Sequence, residues 1–468
     1  MRKRIGEILT LLALWGLALP SLAQESQEAF ELSLDECINY ALENSISSQN
    51  AKLEEERSAA QVKEFTALGL PQVKADVGFT HNMKIQTSFI SDFITPATYG
   101  VLFQEGLVEP RDLGEPETFP AAFGTDFSGR AGVSVSQLVF DGSYFVGLQA
   151  SKTVKELAAK QAVQTDIDVA EKVSQAYFNV LVAQKQLELL AKNLGRIDSL
   201  LRDTEILEQN GFVEKIDVSR IKVNYNNTKT ALANARDMLV VSVSLLKFQM
   251  GMPINERLKL TQDLEDFNLE APEVVKEFDY VNRIEYSILQ TSDYLNDLDM
   301  KNYRMQYLPR LYAGLNAGYT AGTNTFGDLT NFDSETWFDY SNWGLMLNIP
   351  IFDGFQKRYA IQQRKLKKLQ IENQFETTKN SIDLNIQTAI SMLNSKRGSL
   401  EAQRENMDLA EEVYRVTEIK YKEGVGSNSE VLDADASLKA AQTNYYNALY
   451  EALVAKVSLE KAYGTLLK

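Results

Sequence analysis

A pair of carboxylates follows two closely spaced glycines near the carboxyl end of the chain. Gly424 and Gly426 bracket a valine, and Glu430 and Asp433 come a few residues later. The glycines make left-handed backbone available, so a tight reversal between two helices is expected. Residues three apart share a helix face, which groups the two acids. They could select cations in a narrow passage, or form the solvated acidic start of a helix that the macrodipole favours. The residues alone leave both interpretations open.

The same arrangement occurs in the first half of the chain. Gly211 follows Asn210, and Glu214 and Asp217 follow the glycine. We expect a second helix reversal here, again with acidic residues at the start of the next helix. Both reversals therefore offer carboxylates, and the one histidine of the sequence lies far from either of them.

The residues that most enzymes and metal sites need are scarce. The chain has one histidine, His81, and one cysteine, Cys37. Zinc sites and general-base sites need several convergent side chains, so a lone histidine does not make one. The sequence has no G-x-x-x-x-G-K-[ST] phosphate loop and no G-x-S-x-G nucleophile motif. We therefore predict no catalysis, no metal site and no cofactor.

The segments around the two reversals are repeated along the chain. The Phe-Asp-Gly triplet that contains Asp141 returns at Asp353, 212 residues later. Gly211 and Gly424 follow the two triplets at nearly equal distances. Similarity of this kind indicates a tandem duplication. Each copy is predicted to run helix, strand, strand, long helix, turn, helix.

The ends and the composition set the predicted boundaries. Residues 1–23 resemble a secretory signal peptide, because a basic start precedes an apolar stretch and a small-residue cleavage site; an uncleaved anchor is the alternative. We place the first repeat at 24–255, a linker at 256–275 and the second repeat at 276–468. The net charge of −16 argues against a nucleic-acid partner.

A long helix is predicted in each repeat. No proline interrupts the segment between Gly142 and Gly211, and a strict seven-residue repeat of apolar residues indicates a left-handed supercoil. About 70 residues at ~1.5 Å each would extend roughly 100 Å. The heptad positions are Val173, Val180, Leu187, Leu194 and Leu201 in the first copy, and Ile386, Leu393, Leu400, Met407, Tyr414 and Tyr421 in the second.

Four segments alternate between apolar and small or polar residues and are predicted to be strands. They are Val73–Phe79, Ala131–Val135, Leu311–Tyr319 and Trp343–Ile349. The segment between the first two, roughly 82–129, is expected to be a loop, and the first helix is expected to end before Pro71. Open sheet edges leave backbone groups unsatisfied in lipid, and membrane barrels need about eight strands. Four strands per chain therefore require an oligomer of two or three chains. The alternative is a soluble sandwich whose apolar face forms a core.

The chain resembles the TolC-type outer membrane efflux proteins, the outer membrane factor family, over essentially its whole mature length. The resemblance rests on the start of the first helix at Leu32–Glu36, the paired Phe-Asp-Gly triplets, the stretches 421–424 and 430–434, and the closing 462–466. It implies a mixed fold, with a membrane β-barrel of twelve strands and a coiled-coil tunnel of twelve helices built by a homotrimer. It also implies the outer membrane of a Gram-negative bacterium, contact with outer membrane lipid, a periplasmic adaptor protein and an inner-membrane pump of unknown class.

The resemblance also assigns roles at the two reversals. The family's two acidic constriction rings fall on Glu430 and Asp433. Its closed-state latch falls on Tyr421 and Asp217, as a bond from the Tyr421 hydroxyl. The family's arginine on the second turn is replaced here by Gly426, which weakens that latch or moves it to another cation. The glycines of the helix turns are Gly211, Gly424 and Gly426.

The predicted function is a passive, gated exit duct of a tripartite efflux or secretion system. A type I protein secretion duct is one alternative. A structural periplasmic coiled coil anchored in the outer membrane is another. The structural protein would not need carboxylates at both reversals.

Overall fold

The computed structural model describes residues 30–115, 117–269, 278–331 and 335–467. The predicted signal peptide and residues 270–275 of the predicted linker lie outside these ranges. The chain divides into two compact units. The helical unit contains the described residues up to Leu53, together with Gln161–Tyr286 and those from Thr377 onward. The strand unit contains Glu54–Lys160 and Ser287–Glu376.

The described elements follow one another as helices and strands in a repeated order. The helices are α1 Leu34–Asn44, α2 Ile46–Ala67, α3 Ile94–Gln104, α4 Gly142–Gln209, α5 Lys215–Met250, α6 Ile284–Met305, α7 Phe326–Thr330, α8 Gln356–Lys422 and α9 Asn428–Tyr463. The strands are β1 Phe30–Leu32, β2 Gln72–His81, β3 Thr87–Ser91, β4 Thr118–Ala122, β5 Phe127–Phe140, β6 Leu258–Leu260, β7 Arg310–Thr323 and β8 Trp337–Asn348.

The four predicted strands form one antiparallel sheet in the strand unit, in the order β2-β5-β7-β8. Residues two apart lie on the same face of a strand, as the alternation requires. The β5–β7 register shifts by one residue between Leu138 and Phe140. The mixture of strands and long helices predicted from the sequence is confirmed.

Two parts of the sequence prediction were wrong in detail. The segment 82–129, expected to be an irregular loop, contains α3 and a two-stranded antiparallel sheet of β3 and β4. The first helix, expected to continue to Pro71, breaks at Ser45, whose backbone is extended. A Cβ on Gly251 would lie 2.3 Å from the Asn44 carbonyl oxygen, so the backbones meet closely at this break.

The main core of the helical unit gathers α1, α4, α5 and α9. Its fully buried members include Cys37, Tyr177, Leu246 and Leu453. Burial raises the pKa of the Cys37 thiol to about 12, which keeps it uncharged at neutral pH. At the start of α1 the Ser33 hydroxyl accepts a hydrogen bond from the Glu36 amide, and the Ser33 amide donates to the Glu36 carboxylate, which together form a capping box.

Corresponding helices of the two halves have nearly equal lengths. Helices α2 and α6 each have 22 residues, α5 and α9 each have 36, and α4 and α8 have 68 and 67. The predicted linker includes β6, which pairs in parallel with β1. None of the helices in the described part of the chain is long and apolar enough to cross a membrane.

Candidate functional site: the paired helix turns

Both predicted reversals lie in the helical unit and end their helices in the same way. Gly211 follows α4 and Gly424 follows α8, with φ of 78° and 74°. The next amide in each turn, from Phe212 or Val425, donates back to a carbonyl five residues earlier, at 2.9 and 3.0 Å. This is the Schellman arrangement, which needs a left-handed residue and therefore favours glycine.

Gly426 serves the second turn differently. Its φ does not lie in the left-handed region, contrary to the sequence expectation. A Cβ at this position would lie 3.1 Å from both Lys420 Cβ and the Tyr421 backbone nitrogen. Close packing against Lys420 and Tyr421 therefore favours glycine at this position, whereas its backbone conformation does not.

The helices that leave the two turns begin differently. Ser427 caps α9, where its hydroxyl accepts from the Glu430 amide at 3.2 Å and its own amide donates to the Glu430 carboxylate at 3.4 Å. Glu214 occupies the same position before α5, but its side chain makes no capping hydrogen bond. The second helix start is therefore held by two hydrogen bonds that the first one lacks.

Tyr421 lies inside a small apolar cluster between the helix ends. Its hydroxyl is 3.1 Å from Thr204 Oγ1 of α4. The Thr204 hydroxyl already donates to the Leu200 carbonyl oxygen at 2.8 Å, so the tyrosine is the donor of the pair. The cluster consists of Ile197, Leu200, Leu201, Ile221, Tyr414, Tyr421, Val431, Ala434 and Leu438.

Asp217 has a different partner from Tyr421. Asn428 is 5% exposed. Its side-chain amide nitrogen, Nδ2, donates to the Asp217 backbone carbonyl at 3.0 Å and to the Asp217 carboxylate at 3.3 Å. Among the described hydrogen bonds of this protomer, none joins Tyr421 to Asp217. The two predicted latch residues instead tie α8 to α4 and α5 to α9.

The predicted ring residues Glu430 and Asp433 are both exposed on α9, three positions apart. Asp435, two residues after Asp433 on α9, is fully buried. Its carboxylate is 2.6 Å from Lys439 Nζ and accepts from Asn224 of α5 at 3.2 Å. Asp435 and Lys439 are four residues apart on one helix, a spacing that predicts this ion pair from the sequence.

The end of α8 carries positive charge that complements the helix dipole. Lys420 and Lys422 lie in its last turn, whereas the last turn of α4 has no basic residue. The Glu418 carboxylate accepts a hydrogen bond from Lys422 at 2.9 Å and raises the pKa of that ammonium group. Within the described residues, no group of three or more His, Cys, Asp and Glu side chains is placed to hold a metal ion.

The family model for outer membrane efflux proteins matches residues 37–251 and 299–465 of this chain. The chain belongs to this family. The match includes both helix turns and all four strands of the sheet. Its place in the cell is accordingly the outer membrane of Gram-negative bacteria, and it serves as an exit duct of efflux or secretion systems.

Individual relatives agree with this assignment. The chain is similar to the outer membrane protein TolC of Vibrio cholerae, at 23% identity over 340 residues, which cover 72% of this chain and 76% of that protein. TolC of Escherichia coli is 25% identical over 354 residues, with 72% and 69% covered. The crystal structure of the channel CusC matches with a TM-score of 0.69 at 17% identity, covering 95% of each chain, which shows a shared fold.

Proposed function

We propose that this efflux protein is a passive, gated conduit of a homotrimer, and that Glu430 and Asp433 form its constriction. The exposed carboxylates on one face of α9, next to a helix reversal, are the observation that carries the proposal. Six carboxylates around a threefold axis would make a narrow passage selective for cations. The chain performs no catalysis in this proposal, and the energy for transport comes from a partner.

Two contacts would hold the passage closed in this proposal. The Tyr421 hydroxyl bonds Thr204, and Asn428 bonds Asp217, so each joins helices from different turns. Breaking them would let the pairs of helices separate while the carboxylates stay in place. Tyr421 and Asp217 therefore remain the proposed latch, acting through separate partners.

The proposed partners follow from the surfaces around the turns. Phe212 and Val425, at the tips of the two turns, are 78% and 77% exposed. Apolar tips of this kind suit contact with a periplasmic adaptor, which would connect the duct to an inner-membrane pump. The sheet of the trimer would contact outer membrane lipid.

Single-channel conductance in a planar bilayer tests the constriction. We would compare the wild type with Glu430→Gln/Asp433→Asn. Glutamine keeps the capping box, since it can replace glutamate at that position, so the variant removes charge without removing the cap. The ratio of cation to anion permeability is expected to fall toward one.

Two further variants complete the comparison. Glu423→Gln removes an exposed carboxylate of the same turn and should keep the wild-type selectivity. Tyr421→Phe/Asn428→Ala removes the donors of both latch contacts and should enlarge the conductance while selectivity persists. Wild-type selectivity in the Glu430→Gln/Asp433→Asn variant would overturn the constriction. Folded, trimeric protein without any channels would favour a structural role instead.

A further inference from the structure

The sheet leads into the long helices differently in the two repeats. Helix α4 begins at Gly142, the last residue of the first Phe-Asp-Gly triplet, whereas α8 begins at Gln356, with Phe355 between the second triplet and the helix. Phe355 has a φ of 67° and is the only non-glycine residue with a positive φ in the described part of the chain. Strained backbone of this kind is concentrated at functional sites and ligand contacts. The second strand exit, residues 349–355, is therefore a candidate site.

This second exit exposes large apolar side chains. Ile351, Phe352 and Phe355 are 93%, 74% and 51% exposed. They continue the exposed apolar face of β8, which includes Trp343 and Leu345. A cavity of about 550 Å³ lies beside the three residues of the exit. Since the sheet is proposed to contact lipid and the long helices lie in the periplasm, this exit lies at the boundary between the membrane and the periplasm.

The extra residue before α8 determines how the two long helices correspond. The Phe-Asp-Gly triplets are 212 residues apart, whereas the glycines that follow the helices, Gly211 and Gly424, are 213 apart. Each residue of α4 therefore corresponds to the residue of α8 that follows it by 213. The burial agrees with this offset, since Ala158 and its counterpart Ile371 are both buried.

The start of α8 is strongly basic. Residues 356–371 include six lysines and arginines and no acidic residue, whereas the corresponding residues 143–158 of α4 include two lysines and one glutamate. Lys357 and Arg358 lie in the first turn of α8, where the partial positive charge of a helix N-terminus disfavours cations. A bound anion would stabilise this arrangement.

Two of the six cations are available to such an anion beside the exposed apolar residues. Arg358 and Lys365 line the cavity, and neither forms an ion pair with a described residue. They are seven residues and so about 10 Å apart along one helix face, within the joint reach of two long side chains. Three other cations are neutralised within the chain, at 2.7–3.0 Å: Lys357 by Asp353, Arg364 by Asp299 and Lys368 by Asp297.

Helix α4 shows which face of a long helix stays free when neighbouring helices cover both of its sides. On one side Phe65 of α2 packs against Gly147, so closely that a Cβ there would clash. On the other side Gln149 donates a hydrogen bond to the Tyr294 hydroxyl of α6. Both neighbours of α4 therefore belong to the same chain.

The counterparts of Arg358 and Lys365 remain exposed between these two neighbours. They are Phe145 and Lys152, seven residues apart on the remaining face of α4, and both are exposed. A second helix beside α8, as the proposed homotrimer would supply, would leave the corresponding face equally free. Arg358 and Lys365 are therefore accessible from outside the assembly as well as in the single chain.

We infer that the second strand exit binds an anionic phospholipid of the periplasmic leaflet, with the headgroup phosphate between Arg358 and Lys365 and the acyl chains along Ile351 and Phe352. Cations next to an apolar surface at a membrane boundary attract anionic lipid. Phe355 contributes by holding the Arg358 guanidinium carbon 5.9 Å from the centre of its ring. The inference rests on the proposed contact between the sheet and lipid, and it adds the class of lipid and the residues that select it.

Native mass spectrometry of the purified protein in detergent tests this site, with phosphatidylglycerol or phosphatidylcholine added in mixed micelles. The wild type should bind phosphatidylglycerol more tightly than phosphatidylcholine. Arg358→Gln/Lys365→Gln should weaken phosphatidylglycerol binding by roughly 25-fold, about fivefold for each cation near an anionic lipid. Binding of phosphatidylcholine, which has no net charge, should not change.

Two further variants serve as controls. Lys152→Gln/Lys155→Gln removes the same charge from exposed residues near the first exit and should bind phosphatidylglycerol like the wild type. Arg358→Lys keeps the charge and should retain most of the binding. An excess of inorganic phosphate should not displace the lipid, because the apolar residues of the exit hold its acyl chains.

Three results would overturn the lipid site: equal losses in Arg358→Gln/Lys365→Gln and in Lys152→Gln/Lys155→Gln, displacement of the lipid by inorganic phosphate, or dissociation of the oligomer in place of lipid loss. Single-channel conductance is recorded from the same wild-type sample. Channels without a preference for phosphatidylglycerol would overturn the lipid site and leave the proposed duct intact. A preference for phosphatidylglycerol without channels would overturn the duct and leave the lipid site intact.

Discussion

The two helix turns end their first helices alike and begin their second helices differently. Gly211 and Gly424 take the same left-handed conformation and close the same hydrogen bonds. Helix α9 then begins with the Ser427 capping box and carries the buried ion pair of Asp435, whereas α5 begins without a side-chain cap. The start of α9 is therefore fixed by a side-chain cap, whereas the start of α5 lacks one and is joined to α9 by the hydrogen bonds from Asn428 to Asp217.

The largest expected effect comes from the buried carboxylate of α9. Asp435→Ala leaves Lys439 without its 2.6 Å partner and removes the acceptor of Asn224. Losing one member of a buried ion pair costs about 3 kcal/mol, at the low end here because Lys439 is partly exposed. The free energy of unfolding in denaturant, followed by circular dichroism, measures the loss.

Asp433→Ala is the control for this effect, because it removes an exposed carboxylate of the same helix. It should change the free energy of unfolding by less than about 0.5 kcal/mol. Equal losses from the two variants would contradict the assignment of Asp435 as the group that joins α9 to α5.

An intermediate effect is expected from the glycines and tests whether the two helix ends are equivalent. Gly211→Ala and Gly424→Ala should each cost about 1–2 kcal/mol of unfolding free energy, because alanine is strained at positive φ. Asparagine tolerates that conformation better, so Gly424→Asn should recover part of the loss. Thermal unfolding of the purified variants gives the ranking.

Gly426 should behave in the opposite way. A side chain at Gly426 is restricted by the 3.1 Å distance between its Cβ and Lys420 Cβ and not by the φ angle. Gly426→Asn should therefore be no more stable than Gly426→Ala. A Gly426→Asn variant that is more stable than Gly426→Ala would show that Gly424 and Gly426 have the same role in this turn.

The sequence was informative wherever one residue type is dictated by local geometry. A left-handed helix end needs glycine, a capping box needs serine and glutamate at fixed spacing, and the heptad positions of the long helices need apolar residues. The turns, the start of α1 and the long helices were predictable for that reason. Glu430 and Asp433 could be placed on one helix face by spacing alone.

Contacts between distant segments were not predictable in this way. Thr204 and Tyr421 are 217 residues apart, and Asp217 and Asn428 are 211 apart, so their pairing depends on how the helices pack. The break at Ser45 lies where the Gly251 backbone comes close to Asn44, and nothing near Ser45 in the sequence indicates that contact. The burial of Asp435 likewise could not be distinguished from the exposure of Asp433 two residues earlier.

The smallest expected effect compares the two helix starts directly, by removing one cap and adding the other. Ser427→Ala should lower the free energy of unfolding by about 1 kcal/mol, because the Glu430 amide loses its acceptor. Glu214→Ser should raise it by roughly 0.5–1 kcal/mol, since residue 214 already has the extended backbone of a cap (φ −85°, ψ 152°). Ser437→Ala is the control, because that hydroxyl only donates to a carbonyl of its own helix. A Glu214→Ser variant no more stable than the wild type would mean that α5 gains nothing from a cap, and that its contacts with α9 already fix where it begins.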